Sequence, residues 1–339
     1  MATSLQDQPN IIAGDNFVIC RKDDGTLWGI GSNGYGQLGL SSSIGSVSKW
    51  TKIPIPKVAK IFNGREYGQY SVFAILENGD LYSTGYNSGY CQLGYSSGHK
   101  YGFTRVSLDN VTAVFAGNYG SAFITTNKVL YFTGHGRYLG GLKDTTTMTT
   151  PTAASTALVN IIDACYFNAN SRMMYLRDNG SWYVTNSAVS GVTNTAAVSE
   201  YVYKGLTSDA AKICHPIGRT DWVVYVTTNG ALKTLGNNSY GQLGNGNTTN
   251  SNAAWQTPSI SDIKQIALGY GHIVVLKTDG SVYTCGLNNY HQLGIDSIAT
   301  TNQSKFLKAD IKFPVVSVQA GLYTTYYRLP GDLVSYSVL

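Results

Sequence analysis

Charge is what this chain has least of. Asp, Glu, Lys and Arg together make up 13% of its 339 residues, about half of the roughly 25% usual in soluble domains. Polar but mostly uncharged side chains must therefore cover its surface. The formal net charge of +5 is spread with no run of Lys or Arg. A phosphate backbone needs a basic stripe, so no dedicated nucleic-acid site is expected. The cysteines (Cys20, Cys91, Cys165, Cys214, Cys285) are scattered, odd in number and free of any C-x-x-C pair. Neither a disulfide framework nor a zinc site fits that spacing, and buried thiols are expected instead. No apolar stretch reaches about 18 residues, and residues 1–12, MATSLQDQPNII, hold neither a basic n-region nor an apolar h-region. Membrane insertion and a secretory leader are not expected.

Helix signals are missing where one motif would need them. Gly34, Gly36 and Gly39, inside GSNGYGQLG (31–39), spell the G-x-G-x-x-G of a dinucleotide-binding loop, which works only where it opens a helix. Leu40, Ser41, Ser42, Ser43, Ile44 and Gly45 follow, with no capping signal and no 3.6-residue apolar period. The stretch returns as GYNSGYCQLG (85–94), GNNSYGQLG (236–244) and GLNNYHQLG (286–294), with a weaker relative GHGRYLGG (134–141). Tyr, Gln, Leu and the last Gly persist in the clear copies, while the first two fingerprint glycines come and go. Phosphate binding is not what the copies share, and no cofactor is expected.

What they share is a place in a repeat. Upstream of the copies, and once in the middle of the chain, stand RKDDGTLWGIG, AILENGDLYSTG, YLRDNGSWYVT, VTTNGALKTLG and LKTDGSVYTCG. Each sets Asp-Gly or Asn-Gly between alternating apolar and polar runs, the signal of a type I′ hairpin. Gly25, Gly79, Gly180, Gly230, Gly280 and Gly331 recur about every 51 residues, with Thr126-Asn127-Lys128 as a glycine-less copy in the one double gap. Each unit opens on an apolar strand ending in Gly, as in IIAG (11–14), VFAG (114–117), IALG (266–269) and VQAG (318–321). Four antiparallel strands, A to D, at this period describe a propeller blade. The expected fold is all-β: one domain over residues 1–339, a seven-bladed β-propeller of four-stranded blades. Thr3–Gly14 matches Val106–Gly117, so residues 1–8 are expected to supply the outer strand of the last blade and close the ring.

These units resemble the repeats of the regulator of chromosome condensation family, whose seven-bladed propellers carry the same aG…dG.lyswG.N.yGQLG pattern. Blades one, two, five and six match it well. Blade three has Tyr138 without Gln-Leu-Gly, and blade four replaces the loop with SAVSGVTNTAAVSEYVYKG. The resemblance implies a binding fold with varied partners. The founding member is a nucleotide-exchange factor for a small GTPase that uses a hairpin wedge and a basic tail. Here no Lys or Arg precedes Arg21, and the even repeat spacing leaves no room for a wedge. The bacterial β-lactamase-inhibiting propellers, which only bind protein, are nearer in kind.

Catalytic motifs fail on context. Gly94-Tyr95-Ser96-Ser97-Gly98 matches G-x-S-x-G, but no helix follows and no His or Asp partner is marked. His99, His135, His215, His272 and His291 fall on different blades, with no i, i+4 pair for a metal. His272 occupies a place where the family pattern often has histidine, and a structural hydrogen bond is expected there. Tyrosine is the residue class whose placement suggests a site. In a four-stranded blade the A–B and C–D loops emerge on one face. The A–B loops bring Tyr67, Tyr70, Tyr119, Tyr270 and Tyr323, and the C–D loops bring Tyr35, Tyr90, Tyr138, Tyr240 and Tyr290. The C–D set belongs to the repeat signature and reads mainly as scaffold; the A–B set is open between scaffold and contact. Acidic hairpin tips on the opposite face read as solvated turns.

The expectation is a non-enzymatic binding or structural propeller without cofactor or metal. Its favoured setting is a phage virion or tail component, or a bacterial surface component, that touches other proteins of an assembly or a host glycan or receptor. Outside such a setting a cytoplasmic location is expected. Thr145–Ala157 is expected to be an interface loop. The alternative is a cytosolic regulator of a GTPase or another enzyme.

Overall fold

In a computed structural model of the chain the described residues are 10–14, 16–64, 70–87, 89–96, 98–117, 119–135, 147–154, 159–167, 172–180, 182–184, 209–214, 216, 221–330 and 335–337. They form an all-β propeller. Their strands make seven antiparallel sheets, five of four strands and two of three, each in chain order. Contacts gather into two compact units, one of residues 12–178 and 182–196, the other of residues 1–11, 179–181 and 197–339.

In the first unit, but for Ile11, blade one runs Ile11–Ala13, Phe17–Arg21, Leu27–Ser32 and Ser46–Lys52, and blade two Val58–Asn63, Ser71–Leu76, Leu81–Gly85 and Lys100–Arg105. Blade three runs Val111–Ala116, Gly120–Thr125, Leu130–His135 and Thr147–Ala153, and blade four shows Ile161–Phe167, Arg172–Arg177 and Trp182–Val184. In the second unit, blade five runs Ala210–Cys214, Trp222–Thr227, Leu232–Gly236 and Ser251–Gln256, and blade six Ile263–Leu268, His272–Lys277, Val282–Gly286 and Gln303–Lys308. Blade seven shows Ser317–Ala320, Thr325–Arg328 and Ser335–Ser337. The closing strand expected at residues 1–8 lies outside the described residues.

Burial follows strand position. Every residue of the B strand Ser71–Leu76 is buried, because that strand meets blade one on one face and blade three on the other, and the B strand Trp222–Thr227 is buried throughout as well. D strands face water; Ser46–Lys52 has no fully buried residue, and Lys49, Lys52, Lys100, Arg105, Lys305 and Lys308 place charge on such edges against stray pairing. Apolar cores lie between successive blades: Val72, Ala74 and Leu76 pack with Ile19, Leu27 and Leu38, and Ile273, Val275 and Cys285 with Trp222, Val224 and Leu243. Each fully buried Leu, Ile or Val contributes about 1.5–3 kcal/mol.

Two expectations are corrected. The hairpin turns are not type I′. Gly25 N–H donates to Lys22 O (3.0 Å) and Lys22 N–H to Thr26 O (2.9 Å), while only Gly25, at φ 80°, is left-handed. This is a three-residue loop, a type I turn closed by a glycine bulge, and Leu76–Asp80, Thr227–Ala231 and Lys277–Ser281 repeat it. A type I turn alone would splay right-twisted strands, and the bulge restores the match. Lys128, at φ 57°, fills the glycine place in the glycine-less copy. The second correction concerns the Thr-rich segment: Thr147–Ala153 is the outer strand of blade three. Its β-branched threonines suit a pleated edge, and Pro151 is tolerated there.

Candidate functional site

The tyrosine-bearing C–D loops are built on an asparagine that the sequence reading passed over. Asn33, Asn87, Asn238 and Asn288 are all buried. Each side-chain oxygen accepts from the Leu of Gln-Leu-Gly: Leu38 N–H (3.0 Å), Leu93 (3.1 Å), Leu243 (2.8 Å) and Leu293 (3.0 Å). Each Nδ2 turns back to loop carbonyls, including Ile44 O at 2.8 Å, Ser96 O at 3.0 Å, Asn247 O at 2.9 Å and Ala299 O at 2.5 Å. One amide thus supplies the donors and the acceptor that hold a whole loop. The constant asparagine two places after the first glycine was the available signal.

The glutamine of the motif aims the tyrosine. Gln37, Gln242 and Gln292 accept the backbone N–H of Tyr35, Tyr240 and Tyr290, each at 2.9 Å. The first glycine answers a different constraint. Gly85 sits at φ 105°, and a Cβ there would lie 1.8 Å from Tyr70 O, so the loop can pass its neighbour only without a side chain.

Held this way, a C–D tyrosine meets the A–B loop of the next blade. Tyr35 lies 5.0 Å from Tyr70 and 5.3 Å from both Tyr86 and His99, ring centre to ring centre. Tyr90 lies 4.9 Å from Tyr119 and 5.5 Å from His135. In the second unit Tyr290 and Tyr270 both reach Tyr323, at 5.1 and 5.4 Å, and a Cβ on Gly271 would meet the Tyr240 ring at 2.7 Å. Tilted and edge-on contacts at these separations are favourable ring pairings.

Eight of the ten tyrosines singled out from the sequence are therefore placed at blade junctions; Tyr67 and Tyr138 lie outside the described residues. Their exposure does not sort by loop. Tyr290 is 61% exposed, Tyr35 41% and Tyr323 39%, so two of the three most open rings belong to the C–D set. Those rings are scaffold and surface at once. His99 and His135 join the tyrosine clusters, which their scatter along the chain did not reveal.

Among the other candidates, His272 and Ser96 make structural bonds. His272 is buried, packed where a Cβ on Gly269 would be 2.0 Å away, and its Nε2 lies 3.3 Å from Thr325 Oγ1. Burial pushes its pKa down to about 4. Ser96 sits in a C–D loop with its carbonyl bonded to Asn87, and its neighbour Tyr95 bonds to Ser83 Oγ, with burial pushing the phenol up to about 12. His215 lies outside the described residues. Among the described residues no three His, Cys, Asp or Glu side chains are grouped to hold a metal ion, and no helix is long and apolar enough to cross a membrane.

Two models of the regulator of chromosome condensation (RCC1) repeat match the chain, one at residues 11–37 and 263–292, the other at 229–276 and 279–327. No curated protein matches it in sequence. Among solved structures it is similar to human WBSCR16, at 17% identity and a TM-score of 0.70 over 96% of this chain and 88% of that one. It is also similar to the Cps50 (Swd1) β-propeller domain of Myceliophteria thermophila, at 6% identity and a TM-score of 0.51 over 100% and 98%. PorZ, a bacterial surface component of the Porphyromonas gingivalis type-IX secretion system, matches at 10% identity and 0.53 over 98% of this chain and 38% of PorZ. At such identities the structures share a fold alone. The matched repeats, the blade order and the Asn-Gln-Leu-Gly loop chemistry make this chain a β-propeller of the regulator of chromosome condensation repeat type.

Proposed function

We propose that the chain acts by binding, without a reaction of its own, and that in each unit the face made by the A–B and C–D loops is a contact surface. The observation that carries this is the set of stacked yet exposed tyrosines, Tyr35, Tyr290 and Tyr323. Rigid aromatic side chains give large contact area at small entropy cost and are enriched at interfaces. The setting we favour is a phage virion or tail, or a bacterial surface assembly, with protein partners or a host glycan as ligand. Its support is compositional: with charge at 13%, contacts to neutral surfaces avoid the desolvation cost of ion pairs. We propose also that residues 1–8 supply the outer strand of blade seven in a single propeller domain; the Asn10 N–H, donating to Ser317 Oγ at 3.1 Å, brings the start of the described chain beside that blade.

The second reading, regulation of a GTPase in the cytosol, rests on the repeat family. Affinity capture with wild-type protein and with the Tyr35→Ala, Tyr290→Ala pair separates the two. Loss of capture of envelope or virion proteins in the pair supports the loop face; capture of a GTPase whose nucleotide release is accelerated supports regulation. Capture unchanged by the pair contradicts the loop-face reading.

A further inference from the structure

We infer that the aromatic cluster where blades one and two meet is a carbohydrate site, taking a neutral pyranose against the exposed ring of Tyr35. This rests on the loop-face reading and names the ligand class of that face.

The cluster is preorganised. Tyr86 and His99 stand at 88° and 82° to the Tyr35 ring and are themselves stacked at 4.9 Å. The backbone beneath is tied by Gln37 Oε1, which accepts Tyr35 N–H at 2.9 Å, and by Tyr101, whose hydroxyl donates to Gly34 O at 2.9 Å. Little order remains to be imposed when a ligand arrives.

The chemistry of the surface selects the ligand. Three of the four rings, Tyr35, Tyr70 and Tyr86, are tyrosines, which offer ring faces and phenol oxygens to an uncharged polar ligand. His99 Nδ1 accepts Asn87 N–H at 3.2 Å, which leaves Nε2 as the ring's donor. A pyranose has what this surface lacks: a face of C–H bonds for the electron-rich face of tyrosine, and hydroxyls at its rim for phenol oxygens and the imidazole N–H. Each such contact is weak. Tyr90, Tyr119 and His135 repeat the Tyr–Tyr–His set one blade on in the same unit, so a sugar polymer engaging both gains by multivalency.

The test is calorimetric titration of the full chain with cellohexaose, maltohexaose and chitohexaose, and with anionic hexagalacturonate. We expect at least one neutral hexasaccharide to bind, with affinity falling about tenfold or more in Tyr35→Ala and staying within about threefold in Tyr35→Phe, which keeps the ring. Unchanged thermal unfolding of Tyr35→Ala shows that the loss is local. The inference is overturned if none of the three neutral sugars binds, if hexagalacturonate binds more tightly than all of them, or if binding survives Tyr35→Ala. Partner capture that still depends on Tyr35 without any sugar binding would overturn the sugar assignment and leave the loop face standing, with a peptide as its ligand.

Discussion

The hydroxyl of Thr325 donates to the carbonyl of Gln292 at 2.6 Å, tying the B strand of blade seven to the C–D loop of blade six. The same latch recurs within the other unit, where Thr84 Oγ1 lies 2.8 Å from Gly36 O, Ser121 Oγ 2.8 Å from Gln92 O, and Thr133 Oγ1 3.0 Å from Cys91 O. In blade six the donor is a thiol, Cys285 Sγ, 3.7 Å from Gln242 O. The loops that display tyrosine are thereby fastened to the core of the following blade.

Removing a latch should cost stability. Thr325→Val keeps shape and leaves the Gln292 carbonyl without its donor, a loss of about 1–3 kcal/mol for a buried unsatisfied group. Chemical denaturation of the two proteins measures it. A change within a few tenths of a kcal/mol would show that the latch is incidental.

The asparagine hub makes a stronger claim. Asn33→Asp replaces the donor that serves Leu40, Ser41 and Ile44 carbonyls with a buried negative oxygen, so it should destabilise at neutral pH at least as much as Asn33→Ala. Recovery of stability on acidification, as the carboxyl protonates and becomes a donor, is the accompanying sign. An aspartate variant as stable as wild type at pH 7 would contradict the hub.

Two glycines of the same backbone sign should respond differently. Gly79 is at φ 89° with open space around its missing Cβ, whereas Gly85 is at φ 105° with Tyr70 O in the way. Gly79→Ala should cost about 1–2 kcal/mol, the left-handed strain alone, and Gly85→Ala distinctly more. Thermal melts of the pair decide it; equal losses would remove close approach as the reason for the loop glycine.

Acid should weaken the blade six–seven junction. His272 titrates near pH 4 in the folded chain against an ordinary 6.5. Between those values the unfolded chain binds a proton that the folded chain refuses, so stability falls as pH drops from about 6.5 to about 4, by roughly 3 kcal/mol in all. His272→Gln should flatten that slope in stability measured against pH. A slope equal to wild type would assign the acid sensitivity to other groups.

How far the sequence reaches depends on what each residue answers to. The repeat, the blade order and the loop glycines were legible because backbone geometry repeats with the chain: Gly25, Gly79, Gly230 and Gly280 mark the same bulge. The turn type was not, since Asp-Gly serves a type I turn with a bulge as well as type I′. Nor was the Tyr35–Tyr86–His99 cluster, because it joins two blades and His99 lies far along the chain from Tyr35. Exposure of the C–D tyrosines was not legible either, because a ring can pack on a neighbour and still face water.

The most direct test of the loop-face account is site-specific photocrosslinking in the native host. A photoreactive phenylalanine at Tyr290, the most open ring of the face, is compared with the same residue at Asn229, at an exposed hairpin tip of blade five. Adducts to a defined partner or glycan from position 290 and none from position 229 are the expected result. Adducts from 229 alone would place the contact surface on the opposite loops and contradict the account.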